Sequence, residues 1–248
     1  MKIQVAQLSH IGMHRSENQD SMNYVNPEDK ELLKTRGCLL MVADGMGGAA
    51  GGRVASQIAS SVVPKAYYAN SADPLESLRH AFQAANQEIL QRSQADSSLQ
   101  GMGTTATAIA FLAGKCFFAH VGDTRLYRVR GHQIQQLTKD HSMVATMVRE
   151  GLISEVDARH HPQRNILLRS VGVKEEIAID VQSEEVKKGD VYVLCTDGLH
   201  GLVEDQEIAT IVEEEIPEMA CESLVTFANQ RGGFDNVTIQ VAVVDSLD

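Results

Sequence analysis

The sequence predicts an α+β protein in which two packed antiparallel β-sheets form a β-sandwich flanked by α-helices on both outer faces. Three observations point there. Strand-like runs follow one another closely enough to be joined as hairpins. Long helical patterns occur mainly in two places rather than after every strand. The regular βαβ alternation that a parallel sheet needs is therefore not present. The chain has 248 residues, 43% of them hydrophobic, enough for one large core. No Pro- or Ser-rich linker, low-complexity tract or internal repeat interrupts it, so a single domain over 1–248 is expected.

Taken in chain order, residues 2–8 alternate as a strand, and 20–25 form a second. Residues 37–43 are an apolar run that reads as a buried strand. In 52–63, Val54, Ile58, Val62 and Val63 suggest a helix that Pro64 should end or kink. In 74–92, Leu75, Leu78, Phe82, Ala85 and Ile89 step by three and four, one face of a helix. Asp73 can cap it, and Pro74 suits its first turn. Strands follow at 104–112, 115–121, 124–130 and 133–137, with "AGK" (113–115) and "RGH" (130–132) as hairpin turns. A short helical pair, 142–150 and 154–160, is split by Gly151. Strands 177–182 and 190–196, helices 205–213 and 217–230, and a last strand 236–244 complete the pattern.

Bulk properties exclude several functions. The net charge is −11, and Lys and Arg are not clustered, which argues against nucleic-acid or anionic-membrane binding. No apolar run reaches the ~18 residues of a membrane span. The opening "MKIQVAQLSHIG" lacks a signal peptide's apolar core, so a soluble cytoplasmic protein is expected. Cys38, Cys116, Cys195 and Cys221 form no C-x-x-C pair and read as reduced core residues. An acidic chain that handles an anionic substrate needs local cations, which metal ions can supply.

Five aspartates stand where apolar strands begin or end. Asp44 follows "LLMVA", Asp123 follows "CFFAHVG", and Asp197 follows "VYVLCT". Asp235 lies in "GGFDNVT" just before a strand, and Asp20 opens the strand after "HRSENQ". Four of the five have glycine within two residues. Glycine lets backbone approach a ligand closely. One Asp-Gly pair reads as a turn. Five such carboxylates, if gathered at one rim, would raise one another's pKa until a hard cation relieved the repulsion. Oxygen-only ligands favour Mg²⁺ or Mn²⁺ over zinc. Their convergence is not visible in the sequence.

The chain resembles the metal-dependent Ser/Thr protein phosphatases of the PP2C (PPM) type in their compact bacterial form. Seven stretches carry the resemblance in order: "GMHRSENQD" (12–20), "VADGMGGAAGG" (42–52), "GMGTTAT" (101–107), "AHVGDTRLYRVR" (119–130), "LTKDHS" (137–142), "GDVYVLCTDGL" (189–199) and "GGFDNVT" (232–238). The resemblance implies the two-sheet fold and a binuclear centre. In it Asp44 bridges two metals, the Gly45 carbonyl binds the second, and Asp197 and Asp235 complete the first. Asp20 lies nearby and acts through metal-bound water. The implied reaction is hydrolysis of phosphoserine and phosphothreonine in proteins by a metal-bridging hydroxide. Arg15 is expected to hold two phosphate oxygens with its planar fork. Asp123, with Asp197, is expected to hold a third, weaker ion. The small residues after Asp44 are expected to leave the cleft open to a phosphoprotein. Residues 142–170 match a small flap near the active site, packed down by Met143, Val144, Met147 and Val148.

Two departures from the family pattern stand out. Met46 occupies a position where many eukaryotic members have His, a candidate general acid, and Ala49–Ala50 stands where some bacterial relatives place a His. His141 in "KDHS" reads as a capping or packing residue. The implied partners are phosphoproteins made by a Ser/Thr kinase, met by a monomer. An inactive phosphoprotein-binding module is disfavoured because all five aspartates and Arg15 are present. A phosphohydrolase of small phosphate esters or nucleotides is the alternative, although neither "GMGG" nor "GMGTT" is followed by the Lys of a P-loop.

Overall fold

The computed structural model describes residues 1–70 and 72–247, with 48–50 described by backbone alone. In chain order the strands and helices are β1 (Lys2–His10), β2 (Asp20–Val25), α1 (Lys30–Arg36), β3 (Cys38–Met46), α2 (Gly48–Ala69), α3 (Pro74–Ala95), β4 (Gly103–Thr104), β5 (Ala106–Leu112), β6 (Lys115–Val121), β7 (Arg125–Arg130), β8 (Gln133–Gln136), α4 (Met143–Arg149), α5 (Glu155–His160), β9 (Asp180–Glu185), β10 (Val191–Cys195), α6 (Asp197–His200), α7 (Asp205–Glu214), α8 (Pro217–Gln230) and β11 (Val237–Ser246).

The strands form two sheets, ordered β1-β11-β10-β7-β8 and β2-β3-β5-β6-β9, with β4 added to β3. All the paired strands run antiparallel. The α+β sandwich expected from the pattern is therefore present. The two hairpin turns are also as expected. Ala113 and Gly114 join β5 to β6, and Gly131 and His132 join β7 to β8. All four have positive φ, as two-residue type I′ turns require.

Three apolar layers hold the structure together. Leu39, Met41 and Ala43 of β3 pack with Val63, Leu78 and Phe82 of α2 and α3. Val193 of β10 and Val241 of β11 pack with Ile208, Leu224 and Ala228 of α7 and α8 on the opposite outer face. Between the sheets lie Leu40 and Val42 of β3, Ile109 and Phe118, and Tyr192 and Leu194 of β10. Because β3 is covered on both faces, it reads as a continuous apolar run rather than an alternation. All four cysteines are free and buried, in accord with the core reading.

Several boundaries differ from expectation. α2 runs straight through Pro64 to Ala69. Pro64 has no N–H for the Ser60 carbonyl, one turn earlier, but Asn23 Nδ2 on β2 donates to that carbonyl at 2.8 Å. The neighbouring strand thus replaces the lost helix bond. Residues 104–112 divide at Thr105 into β4 and β5. The strand expected at 177–182 is shifted to 180–185, because Ile177 and Ile179 are apolar for packing on the α3 side, not for pairing. Helix α1 has no long apolar stripe to reveal it; Asp29 caps its start, and Arg36 at its end donates to the Ala72 carbonyl.

Residues 142–171 lie on the connection from β8 of the first sheet to β9 of the second. Met143 N donates to the Ile166 carbonyl, Leu168 N to that of His141, and Val171 bridges Thr104. Val144 is buried here, with Met143, Met147 and Val148 half-buried.

Candidate metal centre

The layer between the sheets changes character along its strands. Facing it are Met22 and Tyr24 of β2, Leu40 and Val42 of β3, and Tyr192 and Leu194 of β10. The same alternation, continued toward one end, delivers Asp20, Asp44 and Thr196. Asp20 pairs opposite Asp44 across β2 and β3, and Thr196 Oγ1 donates to Asp20 Oδ2 at 2.8 Å. On β11 the apolar Ala242 gives way to buried Gln240 and Thr238. On β5 and β6 the facing pair at this end is Thr107 and His120.

Asp44 lies inside β3, not at its end. The strand continues through Gly45 and Met46, which pair with Thr104 and Gly103. The backbone of Asp44 is clamped on both sides. Its N–H donates to Thr105 Oγ1 at 3.0 Å, and its carbonyl accepts from Thr104 Oγ1 at 2.8 Å and Thr105 N at 2.9 Å. "GMGTT" is therefore the mount of Asp44 rather than a phosphate loop. A Cβ at Gly45 would overlap the carbonyls of Gly52 and Gln19, and one at Gly51 would crowd Met102. These small residues are thus required for the first turns of α2 to lie against β3. Gly45 and Gly47 also line the cleft. The side chains of Ala49 and Ala50 lie outside the described residues.

Asp197 is the first residue of α6, and its Oδ1 is buried with no hydrogen-bond partner. A Cβ on Gly198 would overlap the Asn236 carbonyl, which explains the "DG" at this strand-to-helix turn. Asp235 Oδ1 accepts from Asn236 N at 2.8 Å, and its Oδ2 accepts from Arg15 Nη2 at 2.7 Å. Asp123 follows Gly122, whose N–H donates to His141 Nδ1 at 3.1 Å. The Asp123 carbonyl accepts from His200 Nε2 at 3.0 Å.

A cleft of about 560 Å³ is lined by Arg15, Asp44, Gly45, Met46, Asp123, Asp197 and Asp235, with Asn165 and Leu167 from the 142–171 segment. Of the seven residues assigned to the centre from the sequence, all but Asp20 line this cleft. Asp20 sits behind Asp44, next to Thr196. The chemistry of the group is that of crowded acids. Burial, tempered by the hydroxyls of Thr238 and Thr196, raises Asp20 to about 7. Burial and the charges of Asp20, Asp197, Asp123 and Asp235 lift Asp44 well above the usual carboxylate range. Burial and Asp197 do the same to Asp123. Burial and Asp235 raise Asp197 to about 6.

Such a group gives up its protons readily to a hard divalent cation. The donors are oxygen only, and the buried, partnerless Asp197 Oδ1 can accept one more contact. The residues therefore fit Mg²⁺ or Mn²⁺. Among the described residues no three acidic, His or Cys side chains close into a compact cage. The carboxylates ring an open cleft, as a catalytic rather than a purely structural site requires.

His141 matches the packing reading. Its Nδ1 accepts from Gly122 N at 3.1 Å, and its Nε2 lies 3.2 Å from Asp180 Oδ2 and 3.1 Å from Arg169 Nη1. Burial lowers its pKa and keeps the ring neutral. Sequence reasoning did not single out three supports of the centre: Thr196, the Thr104–Thr105 pair and Asn236. Asn236 Oδ1 accepts from Gln19 N, and its Nδ2 donates to the carbonyls of Ile11 and Glu17, which ties the 11–19 loop to the site. Thr196 and Asn236 were visible only as sequence neighbours of Asp197 and Asp235, and Thr104 and Thr105 only as part of "GMGTTAT".

Comparison with known proteins agrees with this geometry. Residues 8–230 match the model of the family described as Protein phosphatase 2C. The chain is 34% identical over 252 aligned positions to protein phosphatase PhpP of Streptococcus pneumoniae, covering 99% of each. It is similar to the crystal structure of the Mycobacterium tuberculosis serine/threonine phosphatase PstP/Ppp, with a TM-score of 0.88 and 34% identity over 98% of this chain and 99% of that one. A crystal structure of the PstP catalytic domain in complex with two manganese ions matches with a TM-score of 0.86 and 33% identity, covering 98% and 99% of the chains.

Proposed function

This chain belongs to the protein phosphatase 2C family, and from that premise we propose how its residues divide the work. The protein is a serine/threonine phosphatase that hydrolyses phosphate monoesters of serine and threonine in proteins and depends on divalent metal ions. Asp44, the Gly45 carbonyl, Asp197 and Asp235 hold two tightly bound Mn²⁺ or Mg²⁺ ions. Bound there, such ions supply Lewis acidity and neutralise the charge of the phosphate. Asp20 contributes negative charge from behind Asp44 without entering the cleft. Arg15, one of whose nitrogens is given to Asp235, presents the rest of its planar fork to phosphate oxygens.

Asp123 and Asp197 hold a third, weaker ion. In support, Asp197 is the charge that most raises Asp123. Met46 lines the cleft and carries no proton to donate. The 142–170 segment acts as a flap, contributing Asn165 and Leu167 to the wall. The substrates are products of a Ser/Thr kinase, and the enzyme acts as a monomer. Four free cysteines fit a reducing, cytoplasmic compartment. No described helix is long and apolar enough to cross a membrane.

The observation that carries the residue assignment is the ring of Asp44, Asp123, Asp197 and Asp235 around one cleft beside Arg15. Phosphate release from a phosphothreonine peptide, measured after exhaustive chelation and again with Mn²⁺ restored, tests it. Activity should vanish and return. Asp123→Ala should lose most peptide turnover at saturating Mn²⁺ yet keep the two tight ions. Near-wild-type peptide turnover in that variant would remove Asp123 from the centre.

A further inference from the structure

Two loops carry Arg15 and Asp235 to the cleft, and together they build a surface the reaction does not use. Met13 N donates to the Gly233 carbonyl at 2.8 Å. A Cβ at Gly12 would overlap the Asp235 carbonyl, so the two backbones are in direct contact. The His14 ring stacks on Phe234 with centroids 5.3 Å apart and planes at 22°. His14 and Phe234 are the chain neighbours of Arg15 and Asp235, which are themselves ion-paired at 2.7 Å. The stack is thus tied through one residue on each strand of chain to the pair that faces the phosphate.

The surface is apolar and open. Phe234 is 58% exposed and Met13 64% exposed, an unusual cost for two large apolar side chains beside a polar cleft. Neither lines the cleft itself. The Phe234 ring lies against Gly232, where a Cβ would overlap it, and Met13 lies over Gly233. Two glycines thus leave room for both side chains to lie down on the loop. A ring stacked on His14 and in contact with Gly232 of its own loop is held in place before any ligand arrives, so little ordering is needed on binding.

Resting on the phosphatase reading, we propose that His14, Phe234 and Met13 form a shelf that receives an apolar side chain flanking the phosphorylated residue of the protein substrate. The occupant is argued from continuity. A phosphoresidue held by Arg15 places its chain neighbours a few ångströms away, and the stack is carried by the chain neighbours of Arg15 and Asp235. Leu, Met or Phe would cover the exposed area of Phe234 and Met13, whereas a polar side chain laid over that area would lose water.

The test compares two phosphothreonine peptides of one length, with either Leu or Ser at the positions flanking the phosphoresidue. Values of kcat/KM are taken relative to p-nitrophenyl phosphate, which has no flanking residues. The wild type should prefer the Leu-flanked peptide by about 5–10-fold, below what a closed hydrophobic pocket achieves. Phe234→Ala should bring the preference within about twofold, while Phe234→Leu, still apolar, should keep most of it. An equal preference in the wild type and Phe234→Ala, or none in the wild type, overturns the shelf. Turnover of p-nitrophenyl phosphate with neither peptide hydrolysed overturns the protein-phosphatase reading and the shelf with it.

Discussion

The two ends of the inter-sheet layer make an instructive comparison. They share the same strands and the same face of each strand. At one end Leu40, Tyr192, Leu194 and Ala242 are fully buried and apolar. At the other, the same alternation places Asp20, Asp44, Thr196 and Thr238. The apolar end stabilises the fold by removing hydrocarbon from water. The acidic end opposes folding at neutral pH, since its carboxylates are crowded and desolvated. One continuous sandwich thus supplies rigidity at one end and a strained, charge-rich cleft at the other. The rigid half keeps mutually repelling carboxylates around one cleft.

Substitutions at the two ends should therefore have opposite signatures. Asp44→Asn should lower peptide turnover by more than the about 100-fold seen when a merely supporting residue of a metal site is lost. The metal-free variant should unfold at a higher urea concentration than the wild type, because one member of the crowded group no longer charges. Leu40→Ala at the apolar end should do the reverse. It should cost about 2–5 kcal/mol in urea unfolding through the cavity left between the sheets, with turnover per folded molecule preserved. A stability loss for Asp44→Asn equal to that of Leu40→Ala would erase the distinction.

Arg15→Ala tests the edge of the acidic end. Loss of a bidentate, charge-assisted contact should lower kcat/KM by about 10–100-fold, with Arg15→Lys less severe. Equal kinetics for Arg15→Ala and wild type would place Arg15 outside the phosphate site.

The smallest effect is on pH. Asp20 is raised to about 7 and Asp197 to about 6. Groups raised in the folded state favour folding most below their unfolded values near 4 and lose that contribution as pH rises through about 6–7. Metal-free protein should accordingly become less stable between pH 5 and 8 from this source. Mn²⁺ affinity should move the opposite way, rising at most about tenfold per pH unit for each proton displaced. Affinity independent of pH from about 5.5 to 7.5 would show that the acidic end does not hold the ions.

How much of this was legible in the sequence differs between the two ends. Leu39–Val42 and Val191–Leu194 announced themselves as buried strands, and helix α8 was placed at its observed bounds. The aspartates were conspicuous because a carboxylate adjoining an apolar strand is costly without a purpose. Their supports were not. Thr104 and Thr105 read as strand residues, and only the β3–β4 pairing turns them into the clamp on Asp44. Asn23 gave no sign that it would complete α2 at Pro64, since that bond joins residues 37 apart. Periodicity reports which face is buried, not which distant polar groups meet there.

Calorimetric titration of Mn²⁺ into chelator-treated wild type and Asp44→Asn, at one pH near neutrality, bears most directly on the account. Two tight ions should bind the wild type with release of protons, and the tight binding should be lost in Asp44→Asn while the protein remains folded. Two ions bound equally tightly by both proteins would contradict the assignment of Asp44 as the residue that joins them.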